Sequence, residues 1–472
     1  MPQKFLVAGE WRSSNEVLDV TFPYDGTVSD SIYLATAQDM EDAIVAAQRG
    51  FEITRRLPSY QRSEILQNLH HLMKQHFDEI VELMIMESGK TRKVSIAELT
   101  RAVQTIFVSS EEARRLEGDV FSVDWTPAGK NRQGFTKRVP IGTVLAIAPF
   151  NYPINLACHK IGPAIAVGNS LILKPAEKTP LSSVKMAELI LEAGFPPQAF
   201  SMIQAKGPDT EKMVTDPRIA MISFTGSSSV GWQIKAKAGH KKVLLELGGN
   251  AGLIIHNDAN LDLAIPQAVD GGFANAGQNC ISVQRMIVQQ DIYEEYTDRY
   301  LAGVKKLKVG DPRDADTDIG PMISLRDAER AESWISEAKA QGATILHGGK
   351  RDGALLEPTV LSKTTPDMKV FCEEIFAPVV TLSPYRDWEQ AVAIINDSQY
   401  GLQAGLFTQD IKRIMDAWDR IDVGGLMVNG VSTFRVDHMP YGGVKNSGIG
   451  REGVKYTIEE MTELKLMVIN LA

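Results

Sequence analysis

Residues 271–285 read Gly-Gly-Phe-Ala-Asn-Ala-Gly-Gln-Asn-Cys-Ile-Ser-Val-Gln-Arg, and the interpretation of the whole chain starts from this stretch. Small residues precede Cys280, and the apolar run at 286–288 predicts a strand after it. A cysteine on such a turn can face a ligand, and small neighbours let a flat cofactor approach closely. A helix end or a nest of amides nearby would favour its thiolate. Alternatively, Cys280 is a small buried apolar residue, as most free cysteines are; this window alone does not decide.

Length and composition narrow the class of protein. A chain of 472 residues is too long for one ordinary core, so two or three domains are expected. A net charge of -9 argues against partners such as nucleic acid or an anionic membrane surface. The three cysteines, Cys158, Cys280 and Cys372, lie far apart in sequence, which argues against a disulfide framework. No window is long and apolar enough for a membrane span or signal peptide, so a cytoplasmic protein is expected.

Strands and helices alternate along two long segments. From residue 140 to 255 this pattern predicts parallel strands with helices on both faces and a ligand crevice at the carboxyl ends of the strands. The predicted strands are 144–148, 170–174, 200–203, 221–224 and 243–245. Four residues fall at or just beyond strand ends, at the crevice: Asn151, Lys174, Gly226 and Glu246. The segment 257–429 repeats the alternation and predicts a second α/β domain.

Two further segments are predicted to form a small β-structure. Residues 119–138 interrupt a helical region with mixed polar and aromatic residues and predict a two-stranded ribbon. The run at 464–469 is a terminal apolar strand with no obvious partner nearby in sequence. We expect it to pair with the ribbon or with another subunit.

Several of the crevice residues have both a chemical and a structural interpretation. Gly226 and Ser227 follow a strand and open a helix, so amides there could hold a phosphate, or Ser227 could simply cap the helix. Glu246 stands among leucines, where desolvation would raise its pKa and suit a general base; otherwise it is a loop carboxylate facing solvent. Asn151 offers amide donors or is only a turn residue.

Two more pairs of residues are open to the same two interpretations. Lys174 and Glu177 could hold ribose hydroxyls or form a surface ion pair. Glu374 and Phe376 set a carboxylate beside an aromatic ring, or form a charged rim with one packed ring. Taken singly, each of these signals is weak.

In order along the chain, these motifs together resemble the NAD(P)-dependent aldehyde dehydrogenase superfamily. The resemblance covers essentially the whole sequence. It is carried by Pro149-Phe150-Asn151, Lys174-Pro175-Ala176-Glu177, Phe224-Thr225-Gly226-Ser227, Glu246-Leu247-Gly248-Gly249, Gly277-Gln278-Asn279-Cys280 and Glu374-Ile375-Phe376-Ala377-Pro378.

The resemblance implies an α/β fold of three parts. A Rossmann-like NAD-binding domain would take residues 1–118 and 139–250, and an α/β catalytic domain residues 251–429. A small β oligomerisation arm would take residues 119–138 and 430–472. A homodimer or homotetramer is expected, and no metal.

The resemblance also implies roles for the motif residues. Cys280 would attack an aldehyde to form a thiohemiacetal, and hydride loss would leave a thioester. The Asn151 side chain and the Cys280 N–H would form the oxyanion hole. Glu246 would activate the hydrolytic water. The implied cofactor contacts are Phe150, Lys174, Glu177, Gly226, Ser227, Glu374 and Phe376.

Glu177 bears on the choice between NAD and NADP. A carboxylate beside the adenine ribose accepts hydrogen bonds from its hydroxyls and repels a 2′-phosphate. We therefore expect NAD as cofactor, with NADP less favoured.

The remaining sequence resembles the branch with lactaldehyde, phosphonoacetaldehyde and non-phosphorylating glyceraldehyde-3-phosphate dehydrogenases, through residues 150–155 and 435–443. Members that handle phosphate or phosphonate usually place an Arg before the nucleophile and another on an N-terminal-half helix. Here Asn279 and Phe107 occupy those positions, and Arg435 is retained. One Arg suits a single negative charge better than a dianion.

The expected substrate is thus a short polar, hydroxylated or singly anionic aldehyde such as lactaldehyde, sulfolactaldehyde or a small semialdehyde. The candidate substrate residues are Arg435, His159, Asn279 and Tyr152, and structural pairing of Arg435 with His159 is the alternative. Phosphorylated or phosphono-aldehyde oxidation and CoA-acylating semialdehyde oxidation stay open as activities. Glu246, as a base for water, argues against CoA, and retention of both Cys280 and Glu246 argues against a protein without chemistry.

Overall fold

The computed structural model describes all 472 residues, Met1–Ala472, and contains fifteen α-helices. They are α1 (Ala37–Thr54), α2 (Ser59–Gln75), α3 (Phe77–Ser88), α4 (Arg92–Glu112), α5 (Pro153–Val167), α6 (Leu181–Glu192), α7 (Glu211–Thr215), α8 (Ser228–Lys237), α9 (Leu261–Phe273), α10 (Tyr293–Val304), α11 (Leu325–Ala340), α12 (Lys369–Cys372), α13 (Trp388–Asn396), α14 (Ile411–Arg420) and α15 (Val454–Glu460). None of them combines the length and apolar character needed to span a bilayer.

Twenty-four strands complete the fold. They are β1 (Phe5–Val7), β2 (Glu10–Arg12), β3 (Val17–Thr21), β4 (Val28–Tyr33), β5 (Val120–Ser122), β6 (Arg132–Pro140), β7 (Thr143–Ile147), β8 (Ser170–Lys174), β9 (Phe200–Met202), β10 (Ile219–Thr225), β11 (Lys242–Glu246), β12 (Ala251–Ile255), β13 (Val283–Gln289), β14 (Thr344–His347), β15 (Arg351–Asp352), β16 (Leu355–Leu356), β17 (Thr359–Ser362), β18 (Val379–Tyr385), β19 (Tyr400–Gly401), β20 (Gln403–Phe407), β21 (Gly425–Val428), β22 (Val444–Lys445), β23 (Gly448–Ile449) and β24 (Thr462–Asn470).

The first large sheet has the strand order β2-β1-β9-β8-β7-β10-β11-β23. Its five central strands, β9, β8, β7, β10 and β11, are parallel, as the alternation of strands and helices predicts. Along β7, Val144 and Ala146 face one hydrophobic core and Leu145 and Ile147 face another. This period of two, with both faces buried, is what a strand covered by helices on both sides requires.

The second large sheet has the order β14-β17-β18-β13-β12-β20-β21. All its pairs are parallel except the antiparallel pair at β14. The strand predicted after Cys280 is β13, which lies in the middle of this sheet. Because β11 belongs to the first sheet and β12 to the second, the four residues between them lead the chain from one sheet to the other.

A separate three-stranded sheet has the order β24-β6-β5. Strand β24 pairs antiparallel with β6 from Thr462–Pro140 to Asn470–Arg132, so the predicted pairing of the terminal strand with the ribbon is confirmed. The short strand β23 pairs with β11 in the first large sheet. The domain boundaries given above stay a prediction.

Candidate active site

A cavity of about 500 Å³ lies where strands of the first sheet end and the second sheet begins. The residues predicted for catalysis and cofactor binding all line it: Phe150, Asn151, Lys174, Glu177, Gly226, Ser227, Glu246, Cys280, Glu374 and Phe376. They come from loops spread over more than two hundred residues of sequence. Parallel strands end at one edge of a sheet, which is why their following loops converge here.

The turn that carries Cys280 has an unusual backbone. Asn275, Ala276 and Gly277 are consecutive left-handed residues, with φ of 55°, 53° and 66°. Only glycine fits at position 277, because a Cβ there would lie 2.0 Å from the carbonyl oxygen of Ala377. A Cβ on Gly249 would lie 2.1 Å from the carbonyl oxygen of Cys280. These two glycines let the turn pack directly against backbone on both sides.

The Cys280 thiol is half-buried, and its Sγ lies 3.2 Å from the hydroxyl of Tyr441. Burial raises the pKa of the thiol to about 12, and the hydrogen bond with Tyr441 partly opposes that shift. The carboxylates of Glu374 and Glu246 raise the pKa further, whereas the charge of Arg435 lowers it. The thiol is therefore largely protonated at neutral pH.

Asn151 is buried and directed at the same turn. Its Nδ2 donates to the carbonyl oxygen of Gln278 at 3.0 Å, and Asn275 Nδ2 donates to the Asn151 carbonyl oxygen at 3.3 Å. A side-chain amide has two N–H donors, so one remains beside the cavity. The backbone N–H of Cys280 donates to no protein group. Two N–H donors are thus available near the sulfur.

Glu246, the last residue of β11, is 2% exposed, and neither carboxylate oxygen has a hydrogen-bond partner. Burial raises its pKa well above the ordinary value, and repulsion from Glu452 adds to the shift. The interpretation of Glu246 as a solvent-facing carboxylate is wrong. A buried carboxylate without partners costs stability, and such groups occur where function needs a base of raised pKa.

Glu374 and Phe376 close the opposite wall of the cavity. Glu374 Oε1 accepts from the N–H of Gly249 at 2.9 Å, and burial raises the Glu374 pKa to about 7. Phe376 has a left-handed φ of 50°, which is strained for an aromatic residue. Its ring meets the Phe150 ring edge to face, with centroids 5.9 Å apart. The two rings and the carboxyl group make a wall that is mostly aromatic and carries one titratable group.

Lys174 and Glu177 do not form an ion pair with each other. Lys174 Nζ donates to the carbonyl oxygen of Pro175, and Glu177 Oε1 accepts from the N–H of Gly207 at 2.9 Å. A second cavity of about 410 Å³ adjoins the first and reaches Gly207. Residues Ile147, Lys174, Phe224 and Val230 line both cavities. Together the cavities form one elongated space that suits a long ligand.

The start of α8 faces this space. Ser227 is the N-cap residue, as in the structural alternative, but its side chain makes no capping hydrogen bond. Amides of the first helical turn consequently lack intrahelical and side-chain acceptors, and they lie beside Ser227 and Gly226 in the cavity wall. A helix N-terminus of this kind suits an anionic group such as a phosphate.

Four predicted substrate residues do not line the cavity: Arg435, His159, Asn279 and Tyr152. Arg435 forms an ion pair with Glu452 at 3.1 Å and contacts His159 Nε2 at 3.1 Å. This pairing of Arg435 with His159 is the structural alternative considered from the sequence. Contact of these residues with a substrate stays a prediction.

Asn279 and Tyr152 lie beside two of the predicted catalytic residues in sequence, and both make contacts that support the local structure. Asn279 Oδ1 accepts from the N–H of Ile281 at 3.3 Å and so supports the turn of Cys280. The Tyr152 ring lies under the ammonium group of Lys90, 4.2 Å from its nitrogen. Lys90 is in turn paired with Glu98, whose other oxygen accepts from the first amides of α5.

Three residues near the site were not singled out from the sequence. Tyr441 contacts Cys280, Arg330 lines the cavity, and Arg101 forms an ion pair with the buried Asp437 at 2.8 Å. Arg101 lies on α4, six residues before Phe107, where the sequence analysis looked for a cation. The only sequence signal for Tyr441 was its place in the motif of residues 435–443.

Comparison with known proteins gives consistent matches over the full chain. The model of the Aldehyde dehydrogenase family matches residues 11–467. The chain is 46% identical over 466 residues to 3-sulfolactaldehyde dehydrogenase of Priestia aryabhattai, covering 98% of this chain and 97% of that protein.

Solved structures also match nearly the whole chain. Aldehyde dehydrogenase 21 from Physcomitrella patens, in complex with the reaction product succinate, has a TM-score of 0.98 and 40% identity and covers 100% of this chain and 99% of that chain. Glyceraldehyde-3-phosphate dehydrogenase from Methanocaldococcus jannaschii, complexed with NADP, has a TM-score of 0.93 and 36% identity, covering 97% and 99%. These likenesses confirm the predicted α/β fold class.

The environment of Cys280 predicts its reactivity toward an alkylating reagent. Because its pKa is raised to about 12, the fraction of thiolate, and hence the rate of alkylation by iodoacetamide, should rise roughly tenfold for each unit of pH from neutral into the alkaline range. Mass spectrometry of peptides separates Cys280 from the buried Cys158, which should stay unmodified, and from the half-buried Cys372. A rate at Cys280 that is already constant at neutral pH would contradict this environment.

Proposed function

The chain belongs to the aldehyde dehydrogenase family, and on that basis we propose that it oxidises a short polar or singly anionic aldehyde to the carboxylic acid with NAD, through a thiohemiacetal and a thioester on Cys280. The observation that carries the proposal is that one cavity is lined by three groups. They are the half-buried thiol of Cys280, the side-chain amide of Asn151 and the buried carboxylate of Glu246, which has no hydrogen-bond partner.

The first step is addition of the Cys280 thiolate to the aldehyde carbon. The electron pair of the C=O bond moves to oxygen as the C–S bond forms, and negative charge develops there. The free N–H of Asn151 and the backbone N–H of Cys280 are the donors that meet this charge. Donors fixed beforehand in a cavity that excludes water stabilise such a charge strongly.

The residues present fit a dinucleotide in the elongated space. The uncapped start of α8 suits the pyrophosphate. Lys174 lines both cavities, and Glu177 lines the first and accepts from the N–H of Gly207, which lines the second. A Cβ on Gly248 would lie 2.3 Å from Glu374 Oε2, so the bare glycine allows that carboxylate into the wall. Glu374, Phe376 and Phe150 would hold the nicotinamide ribose and ring. When bound, the nicotinamide supplies the hydride acceptor that turns the thiohemiacetal into the thioester.

Glu246 serves the hydrolysis of the thioester. Its carboxylate takes a proton from water as the water oxygen attacks the acyl carbon, and the C–S bond then breaks to release the acid and the thiolate. Its raised pKa makes it a strong base once ionised. This role favours water over CoA as the acyl acceptor.

The substrate class is supported by the sulfolactaldehyde dehydrogenase relative and by the charges near the site. The Arg435 side chain is buried and that of Arg101 is partly exposed, and each is already paired with a carboxylate. Arg435 is the only Arg among the four predicted substrate residues, and its pairing with Glu452 makes it a poor match for a dianion. Direct binding by Arg435, His159, Asn279 and Tyr152 is part of this proposal, and KM values of Arg435→Ala for acidic and neutral aldehydes test it.

A cytoplasmic location belongs to the same proposal. Its support is that all three cysteines are free thiols, as expected in a reducing compartment.

Steady-state assays of the purified enzyme with NAD test the function. Sulfolactaldehyde, lactaldehyde and succinic semialdehyde should be oxidised to free acids with or without CoA, and glyceraldehyde 3-phosphate should be a poorer substrate. Cys280→Ser should abolish turnover and keep NAD binding. Turnover in Cys280→Ser, or a product that forms only with CoA, would overturn the mechanism.

Glu246→Gln sharpens this test because it removes the base and keeps the shape of the side chain. We expect kcat to fall about 10²–10⁴-fold while acyl-enzyme accumulates on Cys280. In the unmodified enzyme, kcat should rise with pH, because a base of raised pKa becomes ionised only in that direction. Asp262→Asn, an exposed carboxylate on α9, is the control and should change neither quantity.

Glu177 should set the preference for NAD. Glu177→Ser removes the negative charge that would oppose a 2′-phosphate, so the ratio of kcat/KM for NADP to that for NAD should rise about tenfold or more. Glu188→Ser, which removes an exposed carboxylate from α6, is the matched control. An unchanged ratio in Glu177→Ser would remove this residue from cofactor choice.

We also propose a homodimer or homotetramer. Strand β24 forms one edge of its sheet, and its apolar side chains Leu464, Leu466 and Val468 are 57%, 56% and 42% exposed. An apolar edge strand of this length invites pairing with another chain. Leu466→Glu should reduce the mass measured by light scattering toward that of one chain, and Glu463→Gln should not. A monomeric unmodified enzyme would contradict the proposal.

A further inference from the structure

We infer that Tyr441 is a catalytic residue of this site: its hydroxyl donates a hydrogen bond that holds the Cys280 thiolate in the cavity, and Arg435 beneath the ring positions and strengthens that donor. The inference rests on the proposed function, because it assigns the donor to the same nucleophile. It goes beyond that function by giving Arg435 a task other than contact with the substrate.

The contact between the hydroxyl and the sulfur is the first step of the argument. Tyr441 is 3% exposed, and its Oη lies 3.2 Å from Cys280 Sγ, within the range of hydrogen bonds to sulfur. No other protein group bonds to this hydroxyl. Buried tyrosine hydroxyls normally find a partner, and here the partner is the nucleophile itself. Since a thiolate has no proton, it can only accept, so the hydroxyl donates.

The second step concerns Arg435. Its guanidinium carbon lies 3.6 Å from the centroid of the Tyr441 ring, in direct contact with the face of the ring. A cation there draws electron density from the phenol and makes its O–H a stronger donor. The Arg435 side chain is 4% exposed and is held by the ion pair with Glu452. The cation is therefore fixed under the ring and cannot move into solvent.

The third step is that one backbone segment fixes the pair. The N–H of Tyr441 donates to the carbonyl oxygen of Glu452 at 2.9 Å, and the N–H of Glu452 donates back at 2.6 Å. Glu452 therefore holds the Tyr441 backbone with its own backbone and the Arg435 guanidinium with its carboxylate. Ring and cation share one support, so their spacing is set independently of a ligand.

Charge near the sulfur makes such a donor necessary. The carboxylates of Glu374 and Glu246 both disfavour the thiolate, and burial disfavours it more. Burial raises the pKa of Cys280 to about 12. The hydrogen bond from Tyr441 and the positive charge of Arg435 oppose this shift and so favour the thiolate. Without the hydroxyl, the nucleophile would face two acidic groups with no donor on the side of Tyr441.

Tyr441→Phe tests the inference, because it keeps the ring and removes only the O–H. The rate of Cys280 alkylation by iodoacetamide at a fixed pH should fall about tenfold, as a shift of one pKa unit requires, and its pH profile should move to higher pH. The acid limb of kcat/KM should move in the same direction, and the Kd for NAD should not change. Tyr293→Phe, which removes a hydroxyl bonded to a backbone carbonyl of the second sheet, is the control and should leave both profiles in place.

Arg435→Lys and Arg435→Gln test the positioning role. Arg435→Lys keeps the charge and should shift the alkylation profile less than Arg435→Gln does. The shift caused by Arg435→Gln should be smaller in a protein that already carries Tyr441→Phe. Where an Arg435 variant fails to fold in a thermal melt, Tyr441→Phe decides alone. Identical alkylation profiles for Tyr441→Phe and the unmodified enzyme would overturn the inference, even if aldehydes are oxidised. A shifted profile in an enzyme that oxidises no aldehyde would instead overturn only the proposed function.

Discussion

The close approach of backbone to backbone at the turn of Cys280 is the constraint on which the rest of the site depends. The turn comes from the second sheet, and it must reach over the loop that leaves the end of β11 in the first. Gly249 and Gly277 leave space for the carbonyl groups of Cys280 and Ala377, at distances that any side chain would prevent. Three left-handed residues before the turn are the conformational cost of this approach. The two sheets come together at the Cys280 sulfur because Gly249 and Gly277 have no side chains.

Around this junction the protein buries more charge than a stable core requires. Glu246 has no partner, whereas the nearby Glu452 is satisfied by Lys160 at 3.0 Å and by Arg435 at 3.1 Å. These cations fix Glu452 in its ionised form, and the pKa of Glu452 is lowered to about 2. The negative charge that remains beside Glu246 helps to keep the pKa of Glu246 high. One carboxylate is thus held permanently ionised, and its neighbour is left free to exchange a proton.

Much of this arrangement follows from local sequence, and part of it does not. The strand at Ser170–Lys174 has the predicted bounds, because a continuous apolar run between turn residues defines it. The parallel topology alone predicts that the residues directly after such strands meet at one crevice. Tyr441 and Arg435 could not be placed this way, since their partners Cys280 and His159 lie 161 and 276 residues away and depend on the packing of loops.

The small sheet has a geometric consequence for the site. Strand β6 ends at Pro140 and β7 begins at Thr143, so two residues join the small sheet to the centre of the first large sheet. Strand β7 runs on to Ile147, and Asn151 follows four residues later. One strand and two short connections therefore join the small sheet to Asn151. A residue of the small sheet is thus connected to the cavity by a short covalent path that runs through the middle of the first large sheet.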